Sequence, residues 1–296
     1  MSDQKEKEKE IVELVLPEDE GEGLLDMEHG SVYFIGTATV LFRYAGFTIL
    51  TDPNFLHKGN KAHIGYGLST KRVTEPSIDI EQLPPIDLIV LSHMHEDHFD
   101  RIVERRLDKL LPIITNPSAA DALKKKGFSR TYGVNTWESL TATKGNATLT
   151  ITAMPATHAP GPLKFLMPKV MGSMLEFQAA SYSKRLRLYI SGDTLLNKEL
   201  REIPRRFPDI DLALLHLGGT KVMGLLLTMD GKQGAQALKI IAPEMAIPVH
   251  FNDYTVFKSP LEDFKKAVQE ADLENKVKYL QHGEQYIFDV PVESHK

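Results

Sequence analysis

The sequence predicts a mixed α/β domain built in layers, and three observations carry that reading. Short runs rich in β-branched and aromatic residues recur along most of the chain. Segments with apolar residues at helical spacing stand between the later runs. No Ser/Gly-rich linker divides the 296 residues, so one layered domain is expected in place of two independent ones.

The elements follow in order from residue 31. Residues 31–36 (SVYFIG), 38–44 (ATVLFRY) and 47–52 (FTILTD) are β-rich runs parted by Gly-containing turns, as in an antiparallel meander. Residues 54–76 form a long, Gly-containing, basic stretch of the kind that serves as a lid or binding loop. The apolar run 86–92 (IDLIVLS) predicts a buried strand ending near Ser92, and a helix is expected over 100–111. A second helix starts at Pro117 and covers 117–127. Further strands are expected at 147–155, 170–180, 185–193, 211–219 and 244–251. Further helices are expected at 197–207, 230–242 and 260–271, several with Pro or Asp near the start.

Composition narrows the function classes. The chain is 42% hydrophobic, enough for a large core, and carries a net charge of −5. That charge is uneven: residues 1–28 hold eleven acids and three lysines, leaving 29 acids and 32 bases for the remainder. Residues 1–30 are therefore expected to be an acidic, flexible leader, with IVELVL touching the body, and 31–296 to be the folded domain. The body is too weakly basic to imply nucleic acid. Apolar runs are short, and the N-terminus has no apolar signal region, so a cytoplasmic protein without stable membrane insertion is expected. With no cysteine, any transition-metal site must use imidazole and carboxylate.

The stretch 91–100, LSHMHEDHFD, concentrates three imidazoles and three carboxylates directly after an apolar strand. A buried strand interior cannot hold so many ionisable groups unless they are paired or metal-bound. His93 and His95 point the same way if the backbone is still extended, while Asp97 and His98 lie where the chain turns into the helix. Clustered His and Asp at ligand spacing is a metal signature. Further donors stand at later strand ends: His158 in MPATHAPG, Asp193 in YISGDT and His250 in IPVHFND. Each sits on a loop with a rigid support.

HMHEDH followed by His158, Asp193 and His250 resembles the metallo-β-lactamase-fold hydrolase superfamily, and GTATVLFRYAGFTILTDP looks like the first hairpin of that fold. The resemblance implies a four-layer αββα sandwich with the metal site at one edge between the sheets. It implies that His93, His95 and His158 bind one metal, that Asp97, His98 and His250 bind the other, and that Asp193 bridges them. TDPNF, SGDT, LALLHLGG and IPVHFNDY are similar to the branch containing the phospholipase D of N-acyl-phosphatidylethanolamine and the ascorbate-6-phosphate lactonases. Di-iron oxygen reductases of this fold carry Glu where His95 stands, which favours hydrolysis over redox chemistry.

Two cations about 3.5–4 Å apart share a water and lower its pKa, giving a metal-bound hydroxide for attack on a carbonyl or phosphoryl centre. Asp97 and Asp193 are expected to orient it. His216 and Tyr254 are candidate proton donors to the leaving group, and Asp52 and Asp100 candidate hydrogen-bond partners of the ligand imidazoles or, equally, a turn and a helix cap. In the loop 54–76, His57, His63, Tyr66, Lys71 and Arg72 are candidate anion contacts, Lys71 and Arg72 foremost. The expected cofactors are two divalent ions, zinc first and manganese as the alternative. The expected partner is a small, anionic, soluble substrate, a phosphodiester or phosphorylated lactone or ester, with a homo-oligomer left open. A phospholipase D acting on lipid and a non-catalytic metal-binding protein are the alternatives.

Overall fold

The computed structural model describes residues 13–18, 26–65, 67–159, 161, 167–180, 182, 185–222 and 224–290. A short strand β1 (Glu13–Val15) precedes the meander β2 (His29–Gly36), β3 (Thr39–Tyr44) and β4 (Phe47–Thr51). A small hairpin follows, β5 (Lys61–His63) and β6 (Ser69–Lys71). Next come β7 (Leu88–Val90), α1 (Arg101–Arg106), β8 (Ile113–Thr115), α2 (Pro117–Lys125), β9 (Thr131–Gly133), β10 (Ser139–Lys144) and β11 (Ala147–Met154). The second half holds β12 (Gly172–Ala179), β13 (Leu186–Ile190), α3 (Glu202–Arg206), β14 (Leu212–His216) and the hairpin β15 (Lys221–Val222) and β16 (Leu225–Leu226). It ends with α4 (Gly231–Ile241), β17 (Met245–Val249), α5 (Leu261–Gln269) and β18 (Gln285–Asp289).

Two seven-stranded sheets result, ordered β18-β2-β3-β4-β7-β8-β9 and β1-β10-β11-β12-β13-β14-β17. They pack face to face. Phe42 of β3 meets Phe177 of β12 with ring centroids 5.4 Å apart, and Phe47 of β4 reaches the same ring at 5.9 Å. Each fully buried ring of this kind contributes roughly 1.5–3 kcal/mol by leaving water. The outer face of the first sheet buries Ile35, Leu41 and Ile89 against Val103 of α1 and Leu123 of α2. On the second sheet, Leu200, Ile203, Leu238 and Phe264 from the region of α3, α4 and α5 join the core. The layers are therefore helix, sheet, sheet, helix, as the resemblance implied.

Strand type follows from burial. β7, β13 and β14 lie in parallel ladders and are buried at every position, so they read as unbroken apolar runs. β10, near an edge, alternates buried and partly exposed residues. Among the described residues, no helix is long and apolar enough to cross a membrane.

The helix after β7 and the stretch 54–76 differ from expectation, while residues 13–15 lie within the IVELVL expected to touch the body. The helix expected over 100–111 stops at Arg106, because Leu107 turns extended and the Asp108 side chain accepts the Leu110 N–H in a local turn that competes with helix. Residues 54–76 are not a free loop: they carry β5 and β6, and an isolated bridge joins Arg72 to Tyr254. Of the acidic segment 1–30, residues 13–15 pair in parallel with β10 and bury Leu14, with Leu16 buried just beyond, while 29–30 already belong to β2.

Candidate metal centre

Parallel pairing aligns the carboxyl ends of β4, β7 and β8 in one sheet and of β13, β14 and β17 in the other. The loops leaving those ends are where side chains converge in such folds. Asp52 follows β4, His93 to His98 follow β7, His158 follows β11, Asp193 follows β13, His216 ends β14 and His250 follows β17. Asp193 is delivered by a turn that only glycine permits: Gly192 has φ +59°, and a Cβ there would stand 2.7 Å from the Met171 carbonyl oxygen. Asp52 (φ +35°) and His250 (φ +61°) also hold left-handed backbone, costly for a residue with a Cβ and of a kind that collects at functional sites. The surroundings impose it: the His250 N–H donates to the Thr37 carbonyl, and the Asp52 N–H donates to that of Val90.

All seven expected ligands meet at this edge and all are buried. Their donor atoms fall into groups lying within 4.8 Å of one another: His93, His95 and His158; Asp97, His98 and His250; and His93, His98 and Asp193. Asp193 thus belongs with one member of each imidazole set. His93 Nε2 lies 3.0 Å from His95 Nδ1, His98 Nε2 3.2 Å from Asp193 Oδ2, and His250 Nε2 3.5 Å from Asp97 Oδ2. Four ligands on bonds of about 2.0–2.1 Å to a tetrahedral ion are separated by about 3.3 Å, so these spacings suit a common ion.

Unsatisfied atoms provide the test of fit. His95 Nε2, Asp97 Oδ1, His98 Nε2, both ring nitrogens of His158, Asp193 Oδ1 and His250 Nε2 are buried without a hydrogen-bond partner. His98 Nε2 is close to Asp193 yet not aligned as a hydrogen bond, an arrangement ligands of one cation adopt. Leaving so many buried polar atoms unpaired would cost roughly 1–3 kcal/mol each. The donor set, imidazole and carboxylate without thiolate, fits a borderline divalent ion.

The two halves of the cluster differ electrostatically. Burial, together with the neighbouring imidazoles, drives the His93 pKa well below its ordinary value. Burial and His158 bring His95 down to about 4, and burial lowers His158. These three rings are neutral and ready to donate lone pairs. Burial also opposes charge on His98, but Asp193, Asp52 and Asp97 outweigh it and raise that pKa well above the ordinary range. His250 is likewise raised against burial by Asp193 and Asp97. Reciprocally, burial opposes charge on Asp193 and Asp97, yet the cationic rings hold both carboxyls low.

Supporting contacts fix the rings. His250 Nδ1 lies 3.1 Å from the Leu217 carbonyl, so its Nδ1–H donates there and Nε2 is the nitrogen left for an ion once its proton is lost. Asp52 Oδ2 stands 3.2 Å from both His98 Nδ1 and His216 Nε2, while its Oδ1 accepts the Ser92 N–H. Ser92 Oγ is 2.9 Å from His93 Nδ1. Asp100, the other carboxylate considered for this role, caps α1 instead: it accepts the amides of Ile102 and Val103 with one oxygen and those of Phe55 and Leu56 with the other.

The two expected proton donors are both buried and engaged, His216 in a further donor group with Asp52 and His98. His216 is fully buried, with Asp52 Oδ2 3.2 Å from Nε2 and Ser191 Oγ 3.3 Å from Nδ1. Tyr254 is 2% exposed and its hydroxyl donates to Asn54 Oδ1. Arg72, expected as an anion contact, has no exposed surface and donates to the same Asn54. The reason is shared: Asn54 also donates to the Glu96 carbonyl, so Arg72 and Tyr254 brace the loop that carries Asp97 and His98. Lys71 is exposed on β6, His57 is exposed beside Glu75 and Asp79, and Tyr66 lies outside the described residues. His63 is exposed, but its backbone bonds Glu96, and a Cβ on neighbouring Gly65 would meet His95 Nε2 at 3.5 Å. The hairpin β5–β6 therefore covers the ligand loop.

Residues 48–251, more than half of the chain, match the Beta-lactamase superfamily domain. The chain belongs to that superfamily. The match contains all seven candidate ligands of this superfamily member, from His93 to His250. A protein from Aeropyrum pernix named a metal-dependent hydrolase is 28% identical over 268 residues, covering 86% of this chain and 96% of its own. Another of that name, from Anaeromyxobacter sp., is 26% identical over 242 residues, covering 79% and 81%. The solved structure of isothiocyanate hydrolase from Delia radicum gut bacteria shares the fold, with a TM-score of 0.74 at 20% identity over 88% of this chain and 100% of its own.

Sequence reasoning missed Asn54, Ser92, Asp253 and the Leu217 carbonyl in this superfamily member. Asp253 Oδ2 accepts the Thr37 N–H, its Oδ1 accepts the Thr74 hydroxyl and lies 3.2 Å from His282 Nε2, and Thr37 in turn holds His250. Only the acid three residues beyond His250 hinted at this, and its partners come from three distant segments.

Proposed function

We propose that this protein is a metal-dependent hydrolase of a small molecule, holding two divalent ions, zinc first and manganese second. The observation that carries the reading is the position of Asp193, grouped with His93 of one buried triad and His98 of the other, amid donor atoms that have no other partner. The relatives named metal-dependent hydrolases support it. His93, His95 and His158 would hold one ion, Asp97, His98 and His250 the other, with Asp193 between them.

Bound there, divalent ions supply a Lewis acid and lower the pKa of water towards neutrality. The residues of the chain do the remainder. Leu217 and Asp52 fix the tautomers of His250 and His98. Asp97 would take the proton from the attacking water on whichever oxygen is not used for the ion and deliver it to the leaving group. With the His216 and Tyr254 side chains hydrogen-bonded to other residues, Asp97 is assigned that work and Asp193 the place between the ions. The substrate is a soluble ester, lactone or phosphodiester, and cytoplasmic residence belongs to the same proposal.

The experiment is a metal analysis of the purified protein joined to a hydrolysis panel of lactones, carboxylic esters, phosphodiesters and phosphomonoesters. Two ions per chain with turnover that a chelator abolishes supports the reading. Bound metal with no turnover on any member assigns a non-catalytic metal-binding role, and preference for lipid in vesicles assigns a phospholipase D-type activity.

A further inference from the structure

The loop after β17 turns through left-handed backbone at His250 (φ +61°) and again at Asn252 (φ +59°). What closes it is the Thr37 peptide, whose carbonyl accepts the His250 N–H and whose own N–H donates to Asp253 Oδ2 at 2.9 Å. Thr37 is left-handed too (φ +54°), and such backbone persists only where its surroundings impose it. Asp253, with no exposed surface, is therefore what holds the Thr37 peptide against the ligand His250.

The other carboxylate oxygen, Oδ1, accepts the Thr74 hydroxyl and lies 3.2 Å from His282 Nε2. His282 stands in the turn before β18, 21% exposed, with its ring edge-on to Phe34 at a centroid distance of 5.0 Å. Its second nitrogen, Nδ1, lies 3.1 Å from the Glu75 carbonyl oxygen. Both ring nitrogens thus face acceptors, a carboxylate and a backbone carbonyl. A neutral imidazole has one N–H and can serve only one of them, whereas an imidazolium serves both. A Cβ on Gly36 would stand 3.2 Å from His282 Cε1 and 3.0 Å from Arg72 Nη2, so glycine there leaves room for both groups. Burial works against charge on the ring, yet the hydrogen bond and charge of Asp253, with the Glu75 carbonyl, outweigh burial and the opposing Arg72 and raise the His282 pKa. The Glu75 carboxylate is turned to His57. Burial opposes charge on Asp253 as well, and His282, Thr74 and Arg72 hold its carboxyl low.

We propose that Asp253 and His282 form a charge pair that positions the ligand His250 through the Thr37 peptide, which makes the turn before β18 a working part of the metal centre. The role of His250 as a ligand rests on the metal reading above; the pair itself does not. Asp253 and His282 are positioning residues and touch neither ion nor substrate. Their effect is selective, because His250 is grouped with Asp97 and His98 and not with His93, His95 and His158.

The test compares the full-length wild type with His282→Gln, His282→Lys and Asp253→Asn. Ring-nitrogen NMR shifts, with the His282 signals assigned by their loss in either His282 variant, should show both nitrogens protonated in the metal-free wild type at pH 7.5, above the ordinary histidine value of about 6.5. In Asp253→Asn the amide can accept the Thr37 N–H and donate to Nε2, so the His282 ring should become neutral. The His250 ring signals, assigned by their loss in His250→Ala, should move in metal-free His282→Gln. In a chelator competition with Zn²⁺, His282→Gln should bind the second ion roughly tenfold more weakly and the first within about twofold of the wild type, while His282→Lys, which keeps a cation opposite Asp253, should recover most of the loss. A merely structural turn would not separate the two ions or answer to the restored charge. A neutral His282 ring in the wild type, or a second ion bound equally by the wild type and His282→Gln, overturns the proposal. Wild-type protein that takes up no zinc overturns the metal reading instead, and the His250 signals then judge the pair: unmoved in His282→Gln, they overturn it.

Discussion

Asp52→Asn removes a charge without removing volume, and its effect can be worked from the structure. Burial opposes ionisation of Asp52, but His98 and His216 outweigh it and bring the carboxyl from 3.8 down to about 2. The difference corresponds to roughly 2 kcal/mol of folding free energy, counted once for the whole Asp52–His98–His216 group. Because the folded pKa is depressed, that stability is present above the ordinary carboxylate value and is lost as pH falls from about 4 through about 2. Metal-free Asp52→Asn should therefore unfold in urea with about 2 kcal/mol less stability at pH 7, and the gap should narrow as pH falls below 4. The same change frees the His98 ring, so affinity for the ion held by Asp97, His98 and His250 should fall by roughly 10–100-fold in a chelator competition. Equal stability and equal affinity in the two proteins would refute the claim that Asp52 fixes His98.

Three further outcomes are expected. The neutral rings His93, His95 and His158 should take up an ion with little pH dependence above about pH 5, whereas His98 and His250, whose pKa values are raised, must lose protons, so affinity for the second ion should climb as pH increases; calorimetric titrations with Zn²⁺ in buffers of different ionisation heat measure the protons released. Parallel pH slopes for both ions would contradict the division. Asp193→Asn should keep its circular dichroism spectrum and lose roughly 100-fold or more in turnover of any substrate found, and full activity in the metal-loaded variant would remove Asp193 from the site. Tyr254→Phe should cost about 1 kcal/mol of stability, through the lost bond to Asn54, and leave kcat within about threefold, whereas a large loss in kcat would restore Tyr254 as a proton donor.

The His/Asp cluster was legible because its chemistry is local: imidazoles and carboxylates cannot sit at a strand end without a reason, and each later donor follows an apolar run that predicts a strand. Burial made those strands visible, since β13 and β14 are apolar throughout. The short strands β8 and β9, at three residues each, carry too little pattern to announce themselves. His216, Tyr254 and Arg72 have partners in the fold that the sequence did not show. Sequence shows that a polar residue lies near a ligand in the chain, but not that Asp52, from another strand, or Asn54 waits to bind it. Asp253 stayed hidden likewise, its partners lying at residues 37, 74 and 282.

The central claim is a buried pair of ion sites sharing Asp193, and elemental analysis of the wild type beside His95→Ala and His250→Ala tests it most directly. Each substitution removes a ligand from a different set. After purification from metal-supplemented medium and gel filtration, the wild type should carry two divalent ions per chain and each variant about one, with all three proteins folded. Only trace metal in the wild type, or no loss of metal from either variant, would contradict the account.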